Sequence, residues 1–496
     1  MLRLSHLLDA KLAVRELDAD AEPGQLPCAL ARRADPVLLD SSARHEQWGR
    51  HSVFACGPIE VLTLREGVLT DSAGAVLARD DESIWQCLER AFAPLGGMAA
   101  AAQHGHPGYL PGWFGYVGYE VGRHVERLPG KARRDTALPD LRLGFYDAIG
   151  VHDALTGRWS LVYLTPDEGR HGGLTLSAQT LLDVLDEARH LPAPRHVADH
   201  AAPRPQALAV GNFSPDQYRQ AVRRTIEYIA AGDIFQANLS QRLTVPDAPT
   251  PPAIYDILRR RNPAWYAAFL AFNSAGRRCS ILSSSPELFL RVRGGHVTTR
   301  PIKGTRPRTG DAADDAAARD ELLHSPKDNA ELAMIIDLMR NDLGRVCRYG
   351  SVRVTEPCRL ESHPTVFHLV GTVEGELRTE VGPAQLLRAT FPGGSITGAP
   401  KIRAMEIIDE LEGLARGVYT GCIGTVGVDG SCEWNIAIRT IVCEGPLDGA
   451  GPTTANVQVG GGIVADSDPA AEYQETLDKA RALLEAIEQA RTDNRD

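Results

Sequence analysis

The sequence lacks long apolar runs, a secretion signal and paired cysteine motifs. No window contains the ~18 apolar residues that a membrane-spanning helix requires. Residues 1–20 carry charged side chains throughout and show neither the apolar core nor the small-residue cleavage site of a signal peptide. These absences predict a protein that neither crosses a membrane nor is secreted, and they favour a location in the cytoplasm.

The cysteines are nine in number, scattered along the chain and never spaced as C-x-x-C. An odd, scattered set argues against a disulfide framework and against a structural zinc site. We therefore expect reduced thiols that serve mostly in packing.

Basic residues are too few for a nucleic-acid-binding protein. The chain has 53 Lys and Arg against 64 Asp and Glu, which gives a net charge of -11. Such a balance provides no general attraction to a phosphate backbone or an anionic membrane surface. Neither nucleic acid nor a membrane is therefore an expected partner.

The chain is long enough, at 496 residues with 43% hydrophobic composition, to bury a large core. Residues 191–211 are rich in Pro and Ala and lack periodicity, as is typical of a linker or a long surface loop. This segment divides the chain into an N-terminal subregion, residues 1–190, and a larger region, residues 212–490.

Strand-like and helix-like segments alternate without a regular βαβ pattern. Ser214 and Pro215 begin a helix that should end near Ala231, before Gly232. Short apolar segments on either side of Gly-containing turns predict hairpins. The predicted hairpins cover 149–164, 288–300 and 423–442, and the other predicted helices cover 328–338, 400–411 and 470–490. Hairpins mixed with long helices predict an α+β fold with antiparallel sheets.

Two predicted helices each carry acidic residues three positions apart. These pairs are Asp328 with Glu331 and Glu472 with Glu475. The spacing places both carboxylates on one helix face, and two such faces together would suit a hard cation such as Mg²⁺. Solvated acidic helix faces have the same spacing, so spacing alone leaves both interpretations open.

Two glycine-rich segments, 392–401 and 460–462, could place backbone N–H groups against an anion. The first is not an ATP-binding loop, because Ala399 and Pro400 follow Gly398 where such a loop has Lys and Ser or Thr. Ordinary tight turns remain the alternative for both segments.

Three single residues are candidates for catalysis. Lys303 follows a strand-like segment and would be a nucleophile only as the free amine. Glu287 ends a neighbouring strand-like segment and could be a general acid. His368 lies within an apolar strand-like segment. Spacing alone favours the ordinary alternatives, which are an exposed loop lysine, an exposed acid and a core histidine.

The chain resembles the chorismate-utilising enzymes over nearly its whole length, and nine segments carry the resemblance most strongly. In chain order they are GDIFQANLSQRL (232–243), SSSPELFL (283–290), PIKGTRPR (301–308), KDNAELAMIIDLMRNDLGRV (327–346), PTVFHLV (364–370), FPGGSITGAPK (391–401), RGVYTGCIG (416–424), NIAIRT (435–440) and GGGIVADSDPAAEYQETLDKA (460–480). Their number and order make the resemblance specific.

The resemblance implies a large two-sheet antiparallel β sandwich with peripheral helices, so that segment 191–211 would be a long loop within one folding unit. Residues 1–190 would then correspond to the N-terminal region of anthranilate synthase component I. It also implies Mg²⁺ bound directly by Glu331 and Glu475, with Asp328 and Glu472 acting through water.

The resemblance further implies where chorismate binds. Tyr419, Arg439, Gly462 and Lys479 match positions that contact the enolpyruvyl carboxylate, although an ion pair between Glu475 and Lys479 within one helix is an alternative for that lysine. His368 matches the histidine near the ring. The remaining substrate-binding candidates from the same motifs are Gly304, Thr305, Thr397, Gly460 and Gly461.

Two positions separate the branches of the family. Salicylate and isochorismate synthases have a water-activating lysine where this chain has Gln236, so ammonia is the expected nucleophile. Anthranilate synthases typically read Pro-Ile-Ala-Gly-Thr where this chain reads Pro-Ile-Lys-Gly-Thr, so Lys303 stands in place of the alanine. The resemblance therefore implies amination of chorismate to 4-amino-4-deoxychorismate, as in 4-aminobenzoate and folate biosynthesis.

The implied partner is a glutamine amidotransferase that supplies ammonia. Anthranilate synthase component I, of tryptophan biosynthesis, is the nearest alternative. A catalytically silent, ligand-binding regulatory subunit is the alternative of another class, and the presence of Lys303, Glu287 and the metal acids together argues against it.

An early segment resembles the tryptophan pocket of the family. The matching residues are Asp40, Ser41, Arg50 and Ser52. Residues 262–266 read Asn-Pro-Ala-Trp-Tyr and depart from the Pro-Ser-Pro-Tyr element of feedback-inhibited relatives. We therefore expect a candidate site for bound tryptophan, without inhibition by it.

Overall fold

The computed structural model describes residues 4, 7, 9–95, 108–165, 174–192, 209–448 and 451–493. Of the linker predicted at 191–211, residues 193–208 lie outside this described part. Within it, no helix is long and apolar enough to cross a membrane.

Twenty-four strands are found among the described residues. In chain order they are β1 (Lys11–Leu17), β2 (Val37–Asp40), β3 (His51–Ala55), β4 (Glu60–Arg65), β5 (Val68–Thr70), β6 (Val76–Ala78), β7 (Gly112–Val117), β8 (Leu141–Tyr146), β9 (Ala148–Asp153), β10 (Arg158–Thr165), β11 (Val210–Gly211), β12 (Gln236–Ala248), β13 (Tyr266–Ser274), β14 (Arg277–Ser285), β15 (Leu288–Arg293), β16 (His296–Arg300), β17 (Ile302–Pro307), β18 (Arg353–Ser362), β19 (Val366–Glu376), β20 (Gly398–Ala399), β21 (Cys422–Gly427), β22 (Cys432–Asn435), β23 (Thr440–Pro446) and β24 (Thr453–Ile463).

These strands form two large sheets. The first runs in the order β1-β10-β9-β3-β2-β13-β14-β23-β24-β12-β11, with β20 added to β12. The second runs β17-β19-β16-β15-β22-β21-β7-β8-β4-β5-β6, with β18 added to β19. All of the strand pairings are antiparallel. The α+β prediction, with two antiparallel sheets and peripheral helices, is confirmed.

The helices lie around the sheets. They are α1 (Leu26–Leu30), α2 (Asp81–Phe92), α3 (Leu176–Arg189), α4 (Pro215–Ala230), α5 (Pro251–Arg261), α6 (Ala312–His324), α7 (Pro326–Gly344), α8 (Pro383–Thr390), α9 (Lys401–Glu412) and α10 (Pro469–Asp493). Ser214 caps α4 by accepting a hydrogen bond from the Gln217 amide, as its sequence predicted. Helix α7 extends beyond the predicted 328–338, because Ser325 caps it earlier and buried apolar residues continue to Leu343.

The predicted hairpin at 423–442 is only half correct. Strand β21 pairs with β22, but β22 ends at Asn435. The chain then leaves the second sheet and enters the first as β23, which begins at Thr440. Arg439 lies in this crossing with a φ of 50°, a left-handed conformation that turns the chain immediately before β23 begins.

The N-terminal and C-terminal parts of the chain build the same two sheets. In the first sheet β2 pairs with β13, and in the second β7 pairs with β21. One large apolar core contains buried side chains from both parts, such as Trp113 of β7 and Trp434 of β22. The sequence-based division at 191–211 therefore separates two stretches of chain that complete each other's sheets.

Candidate active site

The predicted catalytic residues converge at one end of the sandwich. There β12 and β24 of the first sheet approach β17 of the second, and Gly462 marks the meeting point. A Cβ atom at Gly462 would lie 2.7 Å from Gln236 Nε2 and 3.3 Å from Lys303 Nζ. The backbone of β24 can therefore pass between these two side chains only because residue 462 has no side chain.

Lys303 lies in a strand rather than in a turn after one. Strand β17 pairs with β19, and the register shifts between Lys303 and Thr305. Gly304 forms this bulge with a φ of 69°, which a glycine adopts without strain. The Lys303 side chain is 12% exposed, and its Nζ lies 3.6 Å from Glu331 Oε2. The lysine is thus a half-buried group aimed into the site and not an exposed loop residue.

Glu287 is a buried carboxyl group between β14 and β15. Burial raises its pKa to about 7, although a hydrogen bond from Ser395 and the charge of Lys303 act in the opposite direction. Ser395 Oγ donates to Glu287 Oε1 at 2.6 Å. A carboxyl group with this pKa is partly protonated near neutrality and can donate a proton there, as general acid catalysis requires.

His368 is neutral and has an unused nitrogen. Burial, together with the charge of Arg439, holds its pKa well below the usual range. Its Nδ1 lies 3.0 Å from Thr305 Oγ1 and 3.3 Å from the Gly304 carbonyl oxygen, whereas Nε2 is buried and has no partner among the described residues. A carbonyl only accepts, so the Gly304 contact favours a proton on Nδ1 and leaves Nε2 as a free acceptor.

Gln236 presents a whole amide group without partners. Its side chain is fully buried at the start of β12, and neither Oε1 nor Nε2 has a hydrogen-bond partner in the described structure. An unpaired buried amide is costly, and native proteins usually satisfy such groups with water or a ligand. The residue cannot activate water as a base, because an amide does not accept a proton near neutral pH.

Arg439 is a cation without a counter-ion in the described part of the chain. Burial lowers its pKa to about 10, and no carboxylate of the described residues lies within ion-pair distance. Its Nη1 donates to Asn262 Oδ1 at 3.3 Å. The Arg439 guanidinium next to His368 is therefore available to an anionic group of a ligand.

The four candidate metal acids lie on the N-terminal turns of α7 and α10. Lys327 of α7 lies 3.9 Å from Glu472 of α10, so the two turns face each other. Burial and the neighbouring Glu475 raise the pKa of Glu472. A Cβ at Gly461 would lie 3.1 Å from Glu472 and 3.6 Å from Glu475, so glycine also leaves space beside these acids.

Each of these acids has a basic partner. Glu331 is paired with Lys303, Asp328 with Arg306 at 3.1 Å and Glu475 with Lys479 at 2.7 Å. No group of three or more acids or other ligands in the described residues is close enough to hold a metal ion as it stands. All-carboxylate donors from two facing helices nevertheless have the chemistry that suits Mg²⁺.

Lys479 takes part in the ion pair that its spacing suggested. Its Nζ contacts Glu475 and also donates to the Gly460 carbonyl at 2.9 Å. Lys479 holds the pKa of Glu475 below its usual range. The contact of Lys479 with a substrate carboxylate stays a prediction.

Tyr419 and Thr397, two further substrate-binding candidates, are both buried. Burial raises the pKa of Tyr419 to about 12, and the phenol hydrogen-bonds the Asn238 side chain. Thr397 donates its hydroxyl to the Gly393 carbonyl at 3.0 Å, within its own loop. Only a two-residue strand, β20, separates this loop from α9, and residues 460–462 belong to β24, so neither glycine-rich segment is simply a turn.

Two of the four candidate tryptophan residues line a separate cavity. Asp40 and Ser41 line it, with Trp265 and Tyr109. Ser52 donates to Asp40 at 2.9 Å, and Arg259 also pairs with Asp40. Arg50 instead pairs with Asp153, so its side chain is not among those that line the cavity.

Two residues of the site were not found from the sequence. Ser395 holds the Glu287 carboxyl group, and Asn262 holds Arg439. A hydroxyl within a glycine-rich loop is a signal that could have indicated Ser395. Nothing in the spacing around Asn262 indicates that β13 begins beside Arg439.

Comparisons with known proteins agree with this geometry. The sequence profile of the chorismate binding enzyme family matches residues 36–485. The chain belongs to the chorismate-binding enzyme family. This chorismate-binding enzyme is 41% identical over 461 residues to aminodeoxychorismate synthase component 1 of Klebsiella aerogenes, covering 91% of this chain and 93% of that protein. It is 39% identical over 465 residues to anthranilate synthase component 1 of Thermus thermophilus, covering 93% and 94%.

Solved structures show the same architecture. Anthranilate synthase component I of Streptococcus pneumoniae matches this chorismate-binding enzyme with a TM-score of 0.70 and 31% identity, covering 89% of this chain and 94% of that one. The menaquinone-specific isochorismate synthase of Escherichia coli matches with a TM-score of 0.64 at 17% identity, covering 96% and 95% of the two chains, which is a likeness of fold. Overall identity does not separate the aminating branches, because relatives of both names are similarly distant.

Proposed function

We propose that this chain is the aminating component of an aminodeoxychorismate synthase, which converts chorismate and ammonia to 4-amino-4-deoxychorismate and water. The observation that carries the proposal is the half-buried Lys303 amine, which shares the space beside Gly462 with the Gln236 amide. The Lys303 amine could serve as the nucleophile there, whereas residue 236 offers no base for water.

The proposed chemistry has two displacements. The neutral Lys303 amine attacks C2 of chorismate, the ring double bonds shift, and the C4–O bond breaks as Glu287 gives its proton to the departing hydroxyl, which leaves as water. Ammonia then attacks C4, the double bonds shift back, and the C2–N bond breaks. Lys303 leaves with its electron pair, and the proton lost by ammonia restores Glu287. One difficult substitution is thereby replaced by two easier ones.

Other residues of the site would hold the substrate. Arg439 offers its unpaired guanidinium to a carboxylate, and His368 Nε2 offers an acceptor beside it. Mg²⁺, when bound, would supply positive charge for the ring carboxylate. Glu331 and Glu475 would hold the ion directly, with Asp328 and Glu472 acting through water.

The ammonia would come from a second protein. Relatives named component 1 have a designation that implies another component, and we propose a glutamine amidotransferase as the partner of this chain. The product would be an intermediate on the way to 4-aminobenzoate and folate.

Replacement of Lys303 by Ala tests the covalent role. The purified chain is incubated with chorismate, Mg²⁺ and an ammonium salt, and the products are separated with and without added aminodeoxychorismate lyase. We expect Lys303→Ala to lower formation of 4-amino-4-deoxychorismate by at least about 100-fold, since nucleophilic and proton-transfer steps commonly contribute 10² or more. Lys131→Ala, at an exposed lysine, is the matched control.

Mass spectrometry of the wild-type chain with chorismate and no ammonia should detect an adduct on Lys303 equal to chorismate less one water. Unchanged product formation by Lys303→Ala would exclude the covalent role.

Anthranilate synthase component 1 is the second candidate, because the relative from Thermus thermophilus carries that name at 39% identity. The same incubation distinguishes the two. Anthranilate and pyruvate as the wild-type products would replace the present proposal, and the absence of any product would favour a silent ligand-binding subunit.

A further inference from the structure

Arg416 is a buried cation directly behind the candidate site. The residue is 4% exposed and follows α9 in the turn that leads to Tyr419. Its Nε and Nη2 donate to both carboxylate oxygens of Glu412 at 2.9 and 2.6 Å. The Glu412 charge raises the pKa of Arg416, so the guanidinium is permanently charged within the protein.

The remaining N–H groups of Arg416 reach three different segments. Nη1 donates to the Ile396 carbonyl at 3.1 Å and to Thr420 Oγ1 at 3.2 Å, and Nη2 donates to the Asn238 carbonyl at 2.5 Å. These bonds connect the glycine-rich loop, the turn after α9 and strand β12 through a single planar group. A lysine cannot make this set of bonds, because its three donors diverge from one atom.

Each of the three segments carries a residue of the candidate active site. Ile396 lies between Ser395, which holds the general acid Glu287, and Thr397. Asn238 lies two residues from Gln236 on the same face of β12. Thr420 follows Tyr419 and donates its hydroxyl to the Tyr419 carbonyl. The guanidinium therefore sets the position of the acid, the amide and the phenol relative to one another.

The cluster around Arg416 is fixed on both sides. Glu412 also accepts from the Ser240 amide at 2.7 Å and from the Ser240 hydroxyl at 2.8 Å. Glu120 accepts from the backbone amides of Arg416 and Gly417 at 2.8 and 2.9 Å. A buried ion pair adds little net stability compared with an apolar pair of the same volume, so its main effect here is on geometry.

We propose that Arg416 is a positioning residue that sets the general-acid loop against Gln236 and Tyr419. This inference rests on the proposed function, since the loop matters for rate only if Glu287 is the acid. Misplacement of a reacting group by about 1 Å can cost 10²-fold in rate.

The test compares Arg416→Lys with Arg123→Lys in the complete chain. Arg123 pairs at 2.6 Å with Asp409, which lies on the same helix as Glu412. Asp409 also accepts hydrogen bonds from the backbone amides of residues 131 and 132, so this ion pair does not contact the candidate site. Unfolding temperature, kcat, KM for chorismate and the pH profile of kcat/KM are measured for both variants. We expect Arg416→Lys to lower kcat 10- to 100-fold with a smaller change in KM, and Arg123→Lys to leave kcat within twofold at a comparable loss of unfolding temperature.

The pH profile supplies a readout that a loss of stability would not move. Ser395 lowers the pKa of Glu287, so a displaced loop would weaken that bond and shift the limb that falls above pH 7 to higher pH. Wild-type kcat and an unshifted limb in a folded Arg416→Lys variant would overturn the inference. A wild-type chain that forms no amino product would instead overturn the proposed function.

Thr420→Ala and Thr420→Ser serve if Arg416→Lys does not fold. The alanine variant removes one acceptor of the guanidinium, and the serine variant restores it. We expect a several-fold loss of kcat in the alanine variant, with the same shift of the pH limb, and recovery in the serine variant. Equal kcat and pH profiles in both variants would contradict the positioning role.

Discussion

At the scale of single residues, burial gives two ionisable groups properties that exposed residues lack. Glu287 has a carboxyl pKa of about 7, so it holds a proton at a pH where an ordinary glutamate has lost it. Arg439 remains charged but has no anion within the described protein. A donor of protons and an acceptor of anions thus lie at the same site, which suits a substrate that has carboxylates and a hydroxyl to lose.

The raised pKa of Glu287 predicts opposite effects of Glu287→Gln on activity and stability. The acid must be protonated to act, so the wild-type kcat/KM should fall as the pH rises above about 7. Because the folded pKa lies above the usual 4.5, the folded state also loses stability as the pH rises through 7. Glu287→Gln should abolish amination and raise the free energy of unfolding at pH 8 by about 3 kcal/mol.

Urea unfolding of Glu287→Gln and of the wild type at pH 5 and pH 8 checks this. The free energies of unfolding of the two proteins should differ less at pH 5 than at pH 8, because most of the cost of burying Glu287 arises only when its carboxyl group is ionised. A difference that is equal at the two pH values would show that the carboxyl pKa is not raised.

At the scale of elements, two consecutive glycines of β24 leave the site open. Gly461 lies against the carboxylates of α10, and Gly462 lies against Gln236 and Lys303. A side chain at either position would push apart groups that the proposed reaction uses together. Because these two residues have no side chains, β24 leaves space for the groups on either side of it.

Gly462→Ala should therefore reduce activity more than stability. The new methyl group would meet Gln236 Nε2 at 2.7 Å and force that amide and Lys303 to move. We expect kcat/KM to fall at least 10-fold, about 1.4 kcal/mol in activation free energy. Gly445→Ala in the neighbouring β23 is the control, since its methyl group would meet the movable side chain of Thr453. Equal activities of the two variants would contradict the role given to Gly462.

Local patterns could predict most of these elements, but not how they meet. The Ser214 cap and the hairpin at 288–300 follow from turn and capping residues. The crossing at 436–439 could not be predicted, because the apolar residues of β22 continue through residues 436–438 although the strand ends at Asn435. Lys303 was recognised through resemblance, since its burial depends on α7, which follows it by more than twenty residues.

At the scale of the whole molecule, the two parts of the chain are incomplete without each other. Residues before 191 supply β2 and β7, which pair with β13 and β21 from residues after 211. The active-site segments of the larger region rest on these sheets, and Glu120 of the N-terminal part holds the Arg416 turn. The two largest apolar cores each contain buried side chains from both parts.

Fragments 1–192 and 209–496 should accordingly fold only together. Each alone leaves strand edges and apolar surface without a partner, so we expect aggregation or a non-cooperative unfolding curve. Coexpression should give a soluble complex that aminates chorismate at no less than about a tenth of the intact rate. This limit corresponds to an increase of about 1.4 kcal/mol in activation free energy. Size-exclusion chromatography and circular dichroism measure this. A fragment 209–496 that unfolds cooperatively by itself would contradict it.

The pairing of β7 with β21 also concerns the growing polypeptide on the ribosome. Val117 lies opposite Cys422, so the partner strand of β7 is translated some three hundred residues later. At 5–20 residues per second, this interval is on the order of 15 to 60 s. During that time one edge of β7 has no partner strand, and the aromatic side chains of β7, including Trp113 and Phe114, are incompletely covered. Chaperones that shield such segments should therefore determine how much of the newly made protein reaches its native state.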